Sequence, residues 1–484
     1  MAPSNDLLHD SEALLKKIYS AFHPFNPPPE GAYVDCEGVR GNWNIIREMG
    51  RKITRSDQPI CQLYSGYRGV GKSTELIQLR EYLTKNHYKV VYFAADEADI
   101  EPQDTQYADI LFACTRHLVE AVKLDSAHNP LVQWMQQRWA SMKDLALMDM
   151  EFEKLNLEQQ IGLFPKISAT FKAVPDKRRE MRRKINNETP SLVQALNAFI
   201  HEAEKSLSDD YSQGLVVIVD NLDRIAEIRE GEGKPSNYDE IYINRSEMLR
   251  GLACHVIYTA PISMVYSELA PQLDDRYAEL SVLPMVTVRW ADGTVNPEGL
   301  SKLKELIIRR IQTVDTRLAQ TLEGPVAGLD IPAVFDSPES LERLCLMSGG
   351  HARNLMQLIQ KAIDWTDTLP ISQNAVNRSI ADARSTFIKG IQEKQWPLLA
   401  QAYRHQQYKR NSDYLRLLLN RCILEYHHYY EDTGLDDTWC NIHPLIEAIP
   451  QFQAALNAIP EPTPSGQNEP ELSAPNSLDD AEKA

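Results

Sequence analysis

The stretch Gly66-Tyr67-Arg68-Gly69-Val70-Gly71-Lys72-Ser73-Thr74 constrains this chain more than any other. It satisfies G-x-x-x-x-G-K-[ST], with Gly66, Gly71, Lys72 and Ser73 at the fixed positions. The pattern has a physical reason. Glycines let backbone N–H groups turn inward around a phosphate, and a following helix N-terminus adds positive potential. A lysine at this spacing reaches the outer phosphates of a nucleoside triphosphate, and the hydroxyl after it is a ligand for Mg²⁺. The flanks agree: the apolar run 60–64 predicts a strand, and 74–83, with Leu76, Leu79 and Leu83 on one face, predicts a helix. A glycine-rich turn without a ligand would leave the lysine and the hydroxyl unexplained. Residues 66–74 are therefore expected to cradle ATP, with Mg²⁺.

Such a unit belongs in an α/β fold: a parallel sheet flanked by helices. The continuous apolar run 89–94 suits a strand covered on both faces. The run 215–219 ends in Asp220, at the strand edge where open α/β sheets bind ligands. Asp220 is expected opposite Ser73, sharing Mg²⁺ directly or through water. The next strand, 254–258, ends in Thr259, a candidate for orienting the attacking water or a plain strand-end turn. A further strand is expected over 278–288. Arg276 just before it is a candidate finger toward a neighbouring subunit's γ-phosphate, or half of a surface ion pair with Asp274 or Asp275.

Composition limits the rest. At 484 residues about three domains are expected, and 43% apolar content supplies a sizeable core. A net charge of −17 argues against a chain that coats nucleic acid non-specifically. Seven scattered cysteines without a C-x-x-C pair point away from metal sites and disulfides, toward a reducing cytoplasm. No apolar run approaches the roughly 18–20 residues that span a bilayer. A soluble cytoplasmic protein is expected.

Along the chain, 1–29 reads as an amphipathic helix and a proline linker, and 30–290 as the nucleotide-binding core. Val34, Arg40 and Trp43 are candidates for covering a base, or ordinary packing residues. Residues 125–190 read as a less regular insertion. Its stretch 172–184 carries seven basic residues against two acids. That stretch could face DNA, an acidic partner or a neighbouring subunit's nucleotide, or be a solvated helix face. A new helix is expected from Pro190. Residues 291–371 turn helical, as a lid. Within it, Ser348-Gly349-Gly350 ends one helix and His351-Ala352-Arg353 opens the next. An arginine in a first turn opposes the helix dipole unless an anion docks there, so Arg353 is a candidate phosphate ligand, or a solvent-exposed arginine. Residues 372–457 read as helices followed by a β-hairpin with an acidic turn, as in a winged-helix module. Residues 458–484 are polar, proline-rich and expected to be disordered.

The order of these signals resembles the AAA+/STAND branch of P-loop ATPases, near origin-recognition-type and KAP-type members. The residues that carry the resemblance are 66–73, 216–223, Thr259 and 348–353, which look like Walker A, Walker B, sensor 1 and sensor 2. The resemblance implies a five-stranded parallel sheet with a helical lid, nucleotide between them, ATP hydrolysis, and a homo-oligomer or a partner protein. It also implies roles in bacterial defence systems or DNA-mobilising machines. One departure matters: many AAA+ members carry Glu directly after the Walker B Asp, and this chain has Asn221. Asparagine orients water but cannot take its proton, so Asp223 is the provisional base and slow hydrolysis is expected. A DNA-binding loader and a non-hydrolysing nucleotide-binding scaffold are the alternatives.

Overall fold

The computed structural model describes residues 5–122, 124, 129–142, 154–173, 175–229, 231, 233–322, 333–409, 411–430 and 432–459. The tail expected over 458–484 lies outside them from residue 460 onward. Five strands form one parallel sheet: β1 (Cys61–Gly66), β2 (Lys89–Ala94), β3 (Leu215–Asp220), β4 (His255–Thr259) and β5 (Glu279–Leu283), in the order β2-β3-β4-β1-β5. The motif strands β1 and β3 flank β4, so their carboxyl ends open onto the same edge.

The strands are apolar throughout because both faces of the sheet are covered. Leu63, Val217, Val219, Val256 and Tyr258 point into one core, and Tyr64, Val216, Ile218 and Ile257 into another. The first core is closed by helices Tyr107–Ala121 and Pro175–Ser206. The described parts of 125–190 are therefore more helical than their composition suggested, and part of the sheet's own packing. The helix expected to begin at Pro190 instead runs unbroken through it for 32 residues. Strand β5 stops at Leu283, short of the expected 278–288. Val286 and Val288 belong instead to a third core shared with the helices Pro297–Gln312 and Ala352–Asp364.

Two results concern the ends of the chain. The N-terminal helix Asn5–Ala21 packs Leu15 and Ile18, together with Phe22, into that third core. The C-terminal helices and the antiparallel hairpin β6 (Ile423–Tyr430) and β7 (Leu435–Ile442) share the second core with the helix Lys72–Lys85.

Part of the basic stretch 172–184 is turned inward rather than solvated. Arg182 is buried on Asp109 at 2.6 Å, Arg178 meets Asp104 at 3.0 Å, and Lys172 donates to the carbonyls of Asp96 and Glu97. The reason is tertiary: the helix lies against 104–109, whose carboxylates need partners once buried. Arg179 stays exposed; the side chains of Lys177 and Arg183 lie outside the described residues.

Candidate nucleotide site

Strand β1 delivers the glycine-rich loop to the carboxyl edge of the sheet, and the helix Lys72–Lys85 leaves from it. Gly69 and Gly71 have φ of +90° and +120°, a region that side-chain-bearing residues rarely adopt. At Gly69 there is a second constraint: a Cβ there would stand 2.6 Å from the Cβ of Arg353. The first-turn amides of a helix have no intrahelical acceptor, and here that turn follows directly on the loop. Lys72 is buried; its Nζ donates to the carbonyls of Gly66 (2.7 Å) and Tyr67 (3.1 Å) and pairs with Asp223 at 2.9 Å. This is a P-loop NTPase fold.

Asp220 ends β3 beside the loop and accepts hydrogen bonds from the Ser73 hydroxyl, from Tyr92 Oη (2.8 Å) and from the Asn221 amide (2.7 Å). Burial pushes its carboxyl above the ordinary value and the nearby Asp223 adds to this, while those hydrogen bonds oppose it. Ser73 and Asp220 thus form an oxygen pair at the mouth of the loop, the donor set that a hard cation with phosphates would complete.

The lid closes the other side. His351 Nδ1 accepts the Asn354 amide at 3.1 Å, capping the helix Ala352–Asp364, and its Nε2 donates to Arg68 O at 2.8 Å. Burial holds this imidazole neutral, well below its usual range. The Arg353 amide donates to Gly69 O at 3.0 Å. Its guanidinium is neither solvent-exposed nor free: Nε donates to Pro24 O at 3.1 Å and the group lies over the Phe25 ring at 5.0 Å. Burial first, then the neighbouring Arg224 and Arg421, depress its pKa, so an anion beside it would relieve an existing repulsion.

Gly69, Gly71, Lys72, Ser73, Asp220 and Arg353 line one cleft of about 610 Å³, together with Arg68, Asn221, Asp223 and Arg224. Val34 and Arg40 line it too; Trp43 does not, being stacked on Tyr64 at 5.7 Å. Arg40 is buried, donates to Val70 O at 2.9 Å, faces Glu75 Oε1 through Nη1 at 3.9 Å, and has Nε without a hydrogen-bond partner among the described residues. A phosphate-rich ligand fits this cleft: a positive-φ glycine cradle, a buried lysine, an under-satisfied arginine and a cation-ready oxygen pair.

Two expected residues lie elsewhere. Thr259 is fully buried and outside the cleft lining; its hydroxyl accepts the Leu222 amide at 2.8 Å and faces Val219 O at 3.3 Å. It holds the turn after Asp220 in shape. Arg276 ends the helix Ala270–Arg276 just before β5, at the amino edge of the parallel sheet, opposite the loop, and donates to Gln272 O. Asp223 meets Lys72 instead of open solvent.

Sequence reasoning missed two participants, Arg310 and Asp96, and one connection made by a residue it did name, Tyr67. Tyr67 reaches from the loop to Tyr266 at 3.2 Å, and Tyr266 to Glu425 on β6 at 2.9 Å. Arg310 lines the cleft while donating to Ala21 O at 2.7 Å. Asp96, just beyond β2, binds Asn221. Only Asp96 had a signal: an acid directly after a predicted buried strand.

No protein-family model and no curated protein matches the chain. Among solved structures it is similar to Drosophila ORC bound to DNA (TM-score 0.35, 11% identity, covering 94% of each chain). It is also similar to the Aeropyrum pernix ORC2 protein in ADPNP–ADP complexes (TM-score 0.37, 12% identity, 90% of this chain and 96% of that one). A third is Cdc6p from Pyrobaculum aerophilum (TM-score 0.36, 12% identity, 90% and 97%). The fold assignment rests on the sheet order and the loop.

Proposed function

We propose that this chain binds ATP with Mg²⁺, hydrolyses it slowly and acts as a nucleotide-dependent switch. The observation that carries the reading is the convergence of Lys72, the Ser73–Asp220 pair and Arg353 on one cleft. In this reading the amides of residues 66–74 and Lys72 hold the phosphates, and Ser73 and Asp220 hold Mg²⁺. When bound, the cation neutralises charge on the outer phosphates. Arg353 reads the γ-phosphate, Thr259 acts as a positioning residue, and Asp223 takes the proton of the attacking water. Arg276 remains a finger candidate only toward a neighbouring copy, since its own cleft is at the other edge of the sheet. Slow turnover follows from chemistry: Asn221 cannot accept a proton, and the Asp223 carboxylate is shared with Lys72.

Switching has a physical route. The segment 349–354 touches the loop through His351 and Arg353, and touches the C-terminal module through Gly349 O, which accepts from Tyr426 Oη at 2.9 Å, and Asn354 Oδ1, which accepts from Arg421 at 3.1 Å. A phosphate that shifts Arg353 shifts this junction.

The test is nucleotide binding and phosphate release by the full chain and by Lys72→Ala. Expected are ATP binding that requires Lys72 and a turnover below ~1 s⁻¹, the low end for enzymes. Turnover retained in Lys72→Ala would overturn the assignment, and binding without any phosphate release would favour the scaffold alternative.

The DNA-loading alternative draws on the ORC likeness and the helix–hairpin module. Against it, Arg178 and Arg182 are engaged internally, and Asp432 and Asp437 stand exposed around the hairpin turn. ATP-dependent DNA binding that weakens steeply with salt would restore it. A defence role rests on the family resemblance alone; an effector gene beside this one would support it.

A further inference from the structure

We propose that Asp96 is a positioning residue for hydrolysis: it fixes the orientation of the Asn221 carboxamide, so that this asparagine presents an acceptor oxygen to the attacking water. The inference rests on the ATPase reading above and adds to it a residue just beyond a different strand, β2.

Asn221 follows Asp220 in the left-handed region, with φ 64° and ψ 11°, which asparagine tolerates better than most residues. That backbone turns its side chain toward β2. Asn221 Nδ2 donates to Asp96 Oδ1 at 2.8 Å, and Arg224 Nη1 holds the other oxygen, Asp96 Oδ2, at 2.7 Å. Asp96 is anchored through its backbone as well, since its carbonyl accepts from Lys172 Nζ at 2.6 Å.

The chemistry of the pair decides which way the amide faces. A carboxamide has a donor end and an acceptor end of nearly equal size, and alone it can rotate to exchange them. An ionised carboxylate only accepts. Asp96 therefore selects the nitrogen of Asn221 and leaves Oδ1 pointing away from it, on a side chain that lines the cleft. The turn that carries Asn221 is already rigid, because Leu222 N is tied to Thr259 Oγ1 and Asp223 to Lys72.

In the reaction, water forms a bond to the γ-phosphorus, and the bond from that phosphorus to the β–γ bridging oxygen breaks, leaving on ADP. Asn221 Oδ1 accepts a hydrogen bond from the water, and the water's proton passes to Asp223, the acceptor proposed above. Asp96 touches neither water nor nucleotide; it acts through Asn221.

Asp96→Asn tests this, because it keeps size and shape but replaces an acceptor with an amide that can pair either way. Single-turnover phosphate release is expected to fall roughly 10- to 100-fold, with the affinity for a fluorescent ATP analogue unchanged. Asn221→Ala should fall equally, and combining it with Asp96→Asn should cost nothing more, as for two residues acting as one unit. Exchanging the pair, Asp96→Asn with Asn221→Asp, should restore release, since the new amide can donate to a carboxylate facing the cleft. Normal release in Asp96→Asn, additive losses in the double variant, or a loss of affinity without a loss of rate would overturn the proposal. Lys72→Ala separates the two claims: release that survives it sinks the ATPase reading, whereas a silent Asp96→Asn with release dependent on Lys72 sinks only this one. A wild-type chain with no release overturns both.

Discussion

Arg182 shows how one buried charge constrains this chain. Its guanidinium is 5% exposed and the carboxylate of Asp109 6%, at 2.6 Å. Burial pushes the Asp109 carboxyl up, and Arg182 pulls it back. Removing only the arginine leaves an uncompensated buried carboxylate, so Arg182→Ala is expected to cost about 3–5 kcal/mol in urea unfolding. Replacing both partners, Arg182→Met with Asp109→Leu, should recover most of that loss, because two apolar groups need no partner. At the same scale, Lys72→Ala removes both the proposed phosphate ligand and the partner of Asp223. Its melting temperature should therefore be measured beside its affinity.

Between elements, the junction of lid and hairpin is held by neutral imidazoles. His443 caps the short helix Pro444–Glu447 through Nδ1, packs on Phe387 at 4.7 Å, and meets Asn354 at 2.8 Å. Burial and then Arg421 push its pKa from 6.5 down to about 3. The sign follows from linkage. The unfolded chain takes this proton first as pH falls, so the contribution of His443 is full above 6.5 and is lost progressively toward about 3. In His443→Gln, the fall of unfolding free energy over that window should be shallower by about 1.4 kcal/mol per pH unit, as read from urea melts at several pH values. Gly350 belongs to the same junction: with φ +79° and Val286 O only 1.8 Å from where a Cβ would be, it lets lid and core backbones touch.

For the whole molecule, the chain's beginning is structurally part of its middle. Leu15, Ile18 and Phe22 fill the lid core, and three lid side chains, Gln360, Arg310 and Arg353, donate to the carbonyls of Tyr19, Ala21 and Pro24. Cations at a helix C-terminus are favourable, which gives Arg310 and Arg353 a structural reason to sit there besides any ligand. Each fully buried apolar side chain is worth about 1.5–3 kcal/mol, so deleting residues 1–29 is expected to lower the melting temperature by several degrees in calorimetry.

The sequence by itself determined the loop, the strand–loop–helix unit, the acid at the end of β3 and the sheet class. These are local: a spacing of glycines and a hydroxyl, or a run of apolar residues, has the same meaning wherever the chain goes. The lid helix after Gly350 was legible for the same reason. What the tertiary structure alone decided is which polar groups meet. Arg178 and Arg182 read as a charged stretch until Asp104 and Asp109 are seen beside them, and the bond from the Leu222 amide to the Thr259 hydroxyl is invisible until β3 and β4 are paired. Arg353 was legible as a candidate, but its hold on Pro24 and Phe25 was not, because the turn after the N-terminal helix, 329 positions away in sequence, supplies them. Asn221 was legible as a departure from pattern. Its pairing with Asp96, across 125 positions, exists only because β2 and β3 lie side by side. Buried polar groups must find partners, and the fold decides which are within reach.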